Sequence, residues 1–242
     1  MMNKGNNMPL QLLLFAGFSG ITVFLGGLLA YQFDHHVKQS LFKEQCVHTL
    51  MSFGAGIILS AIALVLIPKG LENLSVWHMA GSFLLGAVLF MLIDRSLAKT
   101  GGQMATLLAM LMDFIPEAIA LGAVFAVDPS MAMLLAVFIG LQNLPEAFNA
   151  FRDLVQNGFS VKATLAIFFG LSFFGIIGAS IGHLFLRDYP GLTAQLMVFA
   201  SGGILYLLIQ DIIPESKLMN NYMISFGATL GFLVGVVGEM LI

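Results

Sequence analysis

Eight stretches of this chain are each apolar for about the length needed to cross a bilayer, and that pattern leaves few folds open. A helix requires roughly 20 predominantly apolar residues to traverse about 30 Å of hydrocarbon. The runs fall at about 10–31, 47–67, 76–93, 104–127, 131–151, 163–186, 192–213 and 222–242. Only 10% of the 242 residues are charged and the mean hydropathy is +0.95. A soluble domain carries about 25% charged residues, so a water-facing surface could not be covered from this supply. Runs of this length exceed barrel strands, and backbone polar groups must be satisfied within the bilayer. The expected fold is an all-α membrane protein, an eight-transmembrane-helix bundle forming a single domain over residues 1–242.

The charges lie mostly between the runs and are unevenly shared. Lys38, Lys43, Arg95, Lys99, Arg152, Lys162 and Lys217 follow the first, third, fifth and seventh runs, whereas only Lys4, Lys69 and Arg187 fall on the other side. Basic residues concentrate in cytoplasmic loops, so both termini are expected outside, in a multi-pass protein of the cell membrane. Residues 1–9 are short and polar ahead of a long apolar run, which reads as a first span rather than a cleaved signal. The single cysteine, Cys46, excludes an intramolecular disulfide and a cysteine metal cluster. A net charge of −3 argues against nucleic acid as a partner.

Two apolar runs, the fourth and fifth, are interrupted at their middles by similar phrases. One reads Asp113-Phe114-Ile115-Pro116-Glu117-Ala118 and the other Gln142-Asn143-Leu144-Pro145-Glu146-Ala147. Asp113 and Glu117 are four apart, as are Gln142 and Glu146, so each pair lies on one helix face. Pro116 and Pro145 each remove a backbone hydrogen bond, which could turn the carbonyls near residues 112 and 141 towards a cavity. A carboxylate at the bilayer centre costs at least ~2.5 kcal/mol, and such groups usually line a pathway or a binding site. Asp113, Glu117 and Glu146 at similar depth would repel one another unless protonated or bridged by a cation. No run interior supplies a Lys or Arg as partner, and oxygen ligands suit hard and borderline divalent metals. Metal binding is the favoured reading; a proton relay and a structural polar cluster are the alternatives.

The second and seventh runs also match. Phe53-x-x-Gly56-x-Ile58-Leu59 ends at Ile67-Pro68, and Phe199-x-x-Gly202-x-Ile204-Leu205 ends at Ile213-Pro214, with the two runs crossing in opposite directions. Inverted repeats with interrupted helices at mid-depth are a feature of secondary transporters.

Two consecutive spans carrying Pro-Glu phrases, in an eight-span chain with both termini outside, resemble the ZIP family of divalent metal transporters. Asp211-Ile212-Ile213-Pro214-Glu215-Ser216 and Ser52-Phe53-Gly54-Ala55-Gly56 carry the likeness further. It implies inverted repeats formed by helices 1–3 and 6–8 around helices 4 and 5, import of a divalent metal towards the cytoplasm, and often a homodimer. The family phrase is typically His-Asn-x-Pro-Glu-Gly in both helices; here Asp113 and Gln142 replace its histidines and Phe114 its amide. The expected metal ligands are Asp113, Glu117, Gln142, Asn143 and Glu146, in one main site, with Asp211 and Glu215 as an exit relay. An all-oxygen site leans towards manganese or iron, with zinc and cadmium also substrates to test. The rival from another class is an intramembrane hydrolase using a carboxylate pair or a metal-activated water.

Overall fold

The computed structural model describes residues 9–38, 40–100, 103–216 and 222–241, with the side chains of 100, 103–105, 215 and 216 outside that description. Eight helices are long and apolar enough to cross a membrane. They are α1 Leu10–His36, α2 Leu41–Asn73, α3 Val76–Thr100, α4 Gln103–Phe125, α5 Pro129–Gln156, α6 Val161–Phe185, α7 Pro190–Ile212 and α8 Tyr222–Met240. A short helical turn, Ile213–Ser216, continues α7. Several helices outrun their apolar stretches: α1 continues to His36, α2 begins at Leu41 and α5 reaches Gln156. Backbone hydrogen bonding does not stop where the hydrocarbon does, so polar end turns extend beyond it. Side-chain caps fix some of these starts. Ser40 accepts from the Lys43 N–H, Asp128 from that of Met131 ahead of Pro129, and Ser160 from that of Ala163.

The packing repeats itself under one exchange of helices. The most extensive pairings are α1 with α5, α2 with α8, α3 with α7 and α4 with α6. Swapping α1 with α6, α2 with α7, α3 with α8 and α4 with α5 leaves that set unchanged. The correspondence holds to the residue. Where α2 meets α8, Gly56 faces the Ala228 carbonyl and Gly231 faces that of Phe53; where α7 meets α3, Gly202 faces the Phe83 carbonyl and Gly86 that of Phe199. A Cβ at any of the four glycines would collide with the facing oxygen. The α2 and α7 members are 146 positions apart, and the α3 and α8 members 145. One interface has been built twice.

The same register carries a backbone irregularity. Residues 62–66 of α2 and 208–212 of α7 each form a π turn, in which the Ile67 N–H bonds to the Ile62 carbonyl and the Ile213 N–H to that of Leu208. Each turn ends just before a proline, Pro68 or Pro214, that offers no N–H to the helix. Such single-turn π bulges gather at functional sites. With eight helices joined in sequence by short connections, α2 and α7 run in opposite directions, so the repeats are inverted.

Candidate cation site

Helices α4 and α5 cross at the centre of the bundle, and their prolines do not break them. Pro116 and Pro145 sit inside continuous α-helices, contrary to the expectation of interrupted spans. A missing N–H costs one hydrogen bond, yet the α-helix continues on both sides of each proline, with α5 packed along α1 and α4 along α6. Among the described residues, the departures from α-helical hydrogen bonding lie in the π turns of α2 and α7 and at Ser172, between the two segments of α6.

All five expected ligands lie at the interior of the bundle, but not as one converging group. Glu117 and Gln142 are each 1% exposed, Asn143 3% and Asp113 7%, with Glu146 half-buried. The Gln142 Nε2 donates to both Glu117 oxygens, at 2.6 and 2.5 Å. Asn143 is committed elsewhere, its Nδ2 donating to the Ser19 carbonyl of α1 at 3.1 Å. One oxygen each of Asp113 and Glu146 is buried with no hydrogen-bond partner, as is the Gln142 Oε1. The site therefore has two layers. Glu117 and Gln142 form a closed pair; one helical turn away, Asp113 and Glu146 face open space. Among the described residues no group of three His, Cys, Asp or Glu side chains stands close enough to hold a metal. The amide of Gln142 engages both oxygens of the nearest further carboxylate, Glu117.

The open space is a cavity of about 580 Å³. It starts at Asp113, Pro145 and Glu146 and runs between α2, α3, α4, α5 and α7 to Asp94, Arg152 and Gln156. These are the helix ends that adjoin the Lys/Arg-rich connections, so the cavity opens on that face. Asp211 lies in the α7 π turn and lines the cavity with Ile212. The side chain of Glu215, the other expected exit residue, lies outside the described residues.

Sequence reasoning passed over several lining residues. Asp94 accepts from the Tyr206 hydroxyl at 2.9 Å, and Asp153 from that of Thr106 at 2.7 Å. His48 lines the same wall. The signal for His48 was present in the spacing, since Met51, Ala55 and Ile58 continue its face at helical intervals. Asp94 and Asp153 sit at the ends of spans and read as ordinary interfacial acids. Lys43 falls within α2, yet it does not reach the site acids. Its Nζ, on a residue 1% exposed, pairs with Asp34 at 2.8 Å and bonds to the Val37 carbonyl at 2.9 Å. Arg152 binds the other Asp34 oxygen at 3.1 Å. Asp34 thereby pairs with Lys43 and with Arg152 of the cavity wall and ties α1, α2 and α5 together.

Fold and site define a polytopic α-helical membrane protein with buried carboxylates facing a cavity that opens to one side. No protein-family profile matches the chain. Zinc transporter YKE4 of Saccharomyces cerevisiae is 20% identical over 207 residues, covering 69% of this chain and 60% of its own. Zinc transporter ZIP13 of Pongo abelii is 23% identical over 190 residues, covering 69% of this chain and 57% of its own. The chain thus spans no more than 60% of the length of these curated relatives.

Proposed function

We propose that this chain is a transporter of divalent metal cations, a single transmembrane unit of the ZIP type that moves its substrate through the space between α4, α5, α2 and α7. One observation carries the reading: two carboxylates at mid-span, Asp113 and Glu146, each present a buried oxygen with no partner at the closed end of a cavity. An unpartnered charge in so dry a place is costly, and a cation that sheds water onto both oxygens removes the cost. The names of the two distant relatives support a metal substrate at the level of the family.

The divided layers fit cargo rather than a resident ion. A structural metal site keeps its ligands assembled, whereas a carrier has to let go. In this reading the ion rests first on Asp113 and Glu146. Glu117 joins only if it gives up its two bonds from Gln142, which makes tight coordination self-limiting. Release follows the acids of the cavity wall, Asp211 and then Asp94, towards the Lys/Arg-rich face. Asp34 keeps Lys43 and Arg152 from opposing a cation there. By the distribution of Lys and Arg, that face is the cytoplasmic one and transport is inward.

Uptake into proteoliposomes of the purified full chain, with Zn²⁺, Mn²⁺, Fe²⁺ and Cd²⁺ in competition, tests the proposal. Saturable uptake of at least one of them, abolished in Glu146→Ala, is the expected result. Cation flux no greater than in protein-free liposomes would end it. The hydrolase alternative predicts turnover of a lipid or peptide and no such flux.

A further inference from the structure

The exchange of repeats says what the opposite face becomes when it opens. Corresponding positions are 146 apart between α2 and α7, 145 apart between α3 and α8, and 29 apart between the prolines of α4 and α5. Applied to the cavity, these shifts place its mirror on the far side of Glu117 and Gln142. The residues there are buried. His48, Thr106, Asp153 and Asp211 of the cavity wall correspond to Ala194, Leu135, Val124 and Val65, and each of these is at most 3% exposed. The polar lining of the open side is thus matched by a dry apolar plug on the closed side.

Two carboxylates of the cavity keep an acidic counterpart: Glu146 corresponds to Glu117 of the closed pair, and one lies at the mouth. Asp94, at the mouth of the cavity, corresponds to Glu239 in the last turns of α8. The two differ in what holds them. Tyr206 donates its hydroxyl to Asp94. The residue at the matching place on α2 is Ser60, whose hydroxyl is too short to bridge and donates to the Ile57 carbonyl of its own helix at 2.7 Å. Glu239 is left with a buried oxygen, Oε2, that has no hydrogen-bond partner. Nothing in the route from Asp113 to the cavity mouth makes use of this carboxylate.

We propose that Glu239 is the carboxylate that receives a divalent cation at the mouth of the opposite-facing form, the repeat counterpart of Asp94, and that this mouth opens by parting of the plug around Leu135. An acid pinned by a hydroxyl suits the side where the ion departs, because its charge is already shared. An acid with a bare oxygen suits the side where the ion must be gathered from dilute solution. The inference rests on the transport reading above.

The test uses the full chain expressed in cells, with Cd²⁺ as the probe and uptake normalised to folded protein in the membrane. Glu239→Gln is expected to raise the Cd²⁺ concentration for half-maximal uptake about tenfold, as removal of a focusing charge does, with the maximal rate within about twofold. Glu239→Asp should recover most of the loss, which separates the charge from a general defect of folding. An unchanged half-maximal concentration in Glu239→Gln, beside an active parent, overturns the proposal and leaves the transport reading standing. A parent that carries no Cd²⁺ or other cation overturns both. A second measurement needs no uptake: Leu135→Cys in a Cys46→Ser background should react with a membrane-impermeant thiol reagent added on the face opposite the cavity. Complete protection of that cysteine would show that the plug never parts.

Discussion

Glu146→Gln is the sharpest perturbation of the proposed site, because it removes one charge and almost no volume. In the protein as found, the Glu146 Oε1 and the Asp113 Oδ1 are buried without partners and line the same cavity. At an effective dielectric of about 20, a unit charge 4 Å from a carboxylate gains about 4 kcal/mol. A divalent ion gains more, but two effects work against it: the ion gives up water, and the empty site already suffers repulsion between its carboxylates, which the substitution relieves. A net loss of about 2.8 kcal/mol, or a hundredfold in affinity, is a reasonable expectation from these opposing terms. Thermal unfolding of the detergent-solubilised protein reads this directly. Cation at about 100 times its Kd stabilises the parent by about 2.7 kcal/mol, whereas a variant binding a hundredfold more weakly gains only about 0.4 kcal/mol at the same concentration. The Cd²⁺-dependent rise in Tm should therefore nearly vanish in Glu146→Gln and in Asp113→Asn, while cation-free Tm stays the same or increases. A full Cd²⁺-dependent shift in both variants would refute the site.

Three further outcomes follow from the surrounding contacts. Gln142→Leu strips both hydrogen bonds from the buried Glu117 carboxylate, so the cation-free protein should lose roughly 1.5–3 kcal/mol, with saturating Cd²⁺ restoring part of the loss; this is measured as the difference in Tm with and without the ion. Asp34→Ala leaves Lys43 buried and Arg152 unpaired, and should cost about 1–3 kcal/mol in chemical or thermal unfolding; it should also slow release of the cation by leaving two positive charges near the mouth, seen as a lower maximal uptake rate. Gly56→Val and Gly202→Val insert side chains against the Ala228 and Phe83 carbonyls, and each should destabilise by roughly 1–3 kcal/mol through overpacking; the two losses should be similar if the α2–α8 and α7–α3 interfaces are copies of each other.

The sequence resolves the spans, their order and the α2/α7 repeat, since hydropathy over about 20 residues and a shared Phe-to-Pro register are long-range averages that single contacts do not disturb. The candidate site was legible as a set of interior residues and not as an arrangement. Asp113, Glu117, Gln142 and Glu146 share the face that helical spacing assigns them, but spacing is silent on which amide will meet which carboxylate. Gln142 and Glu117 stand on different helices, and their bidentate contact depends on how α4 and α5 cross. Asn143 could equally have faced the acids; it is the close approach of α1 that offers it the Ser19 carbonyl. Proline gave the most misleading signal. It marks the centres of α4 and α5, where the α-helix continues, while Pro68 and Pro214, near the ends of α2 and α7, follow the π turns.

That difference bears on how such a bundle could change state. The regular helices α4 and α5 carry the site, and each is clasped along its length by the first helix of a repeat. The irregular helices α2 and α7 border the cavity; the α7 π turn lies in its wall, and the α2 π turn carries Val65 of the closed side. A π turn holds one residue more than an α turn, so shifting it along the helix rotates every side chain it passes. Asp211 sits inside such a turn, and the corresponding position on α2 is the apolar Val65. Movement of the α7 bulge would therefore swing a charge towards or away from Asp113, whereas the same movement in α2 would shift only a plug residue. On the transport reading, the two halves would share a fold and divide the work, one side gating with a charge and the other with an apolar seal.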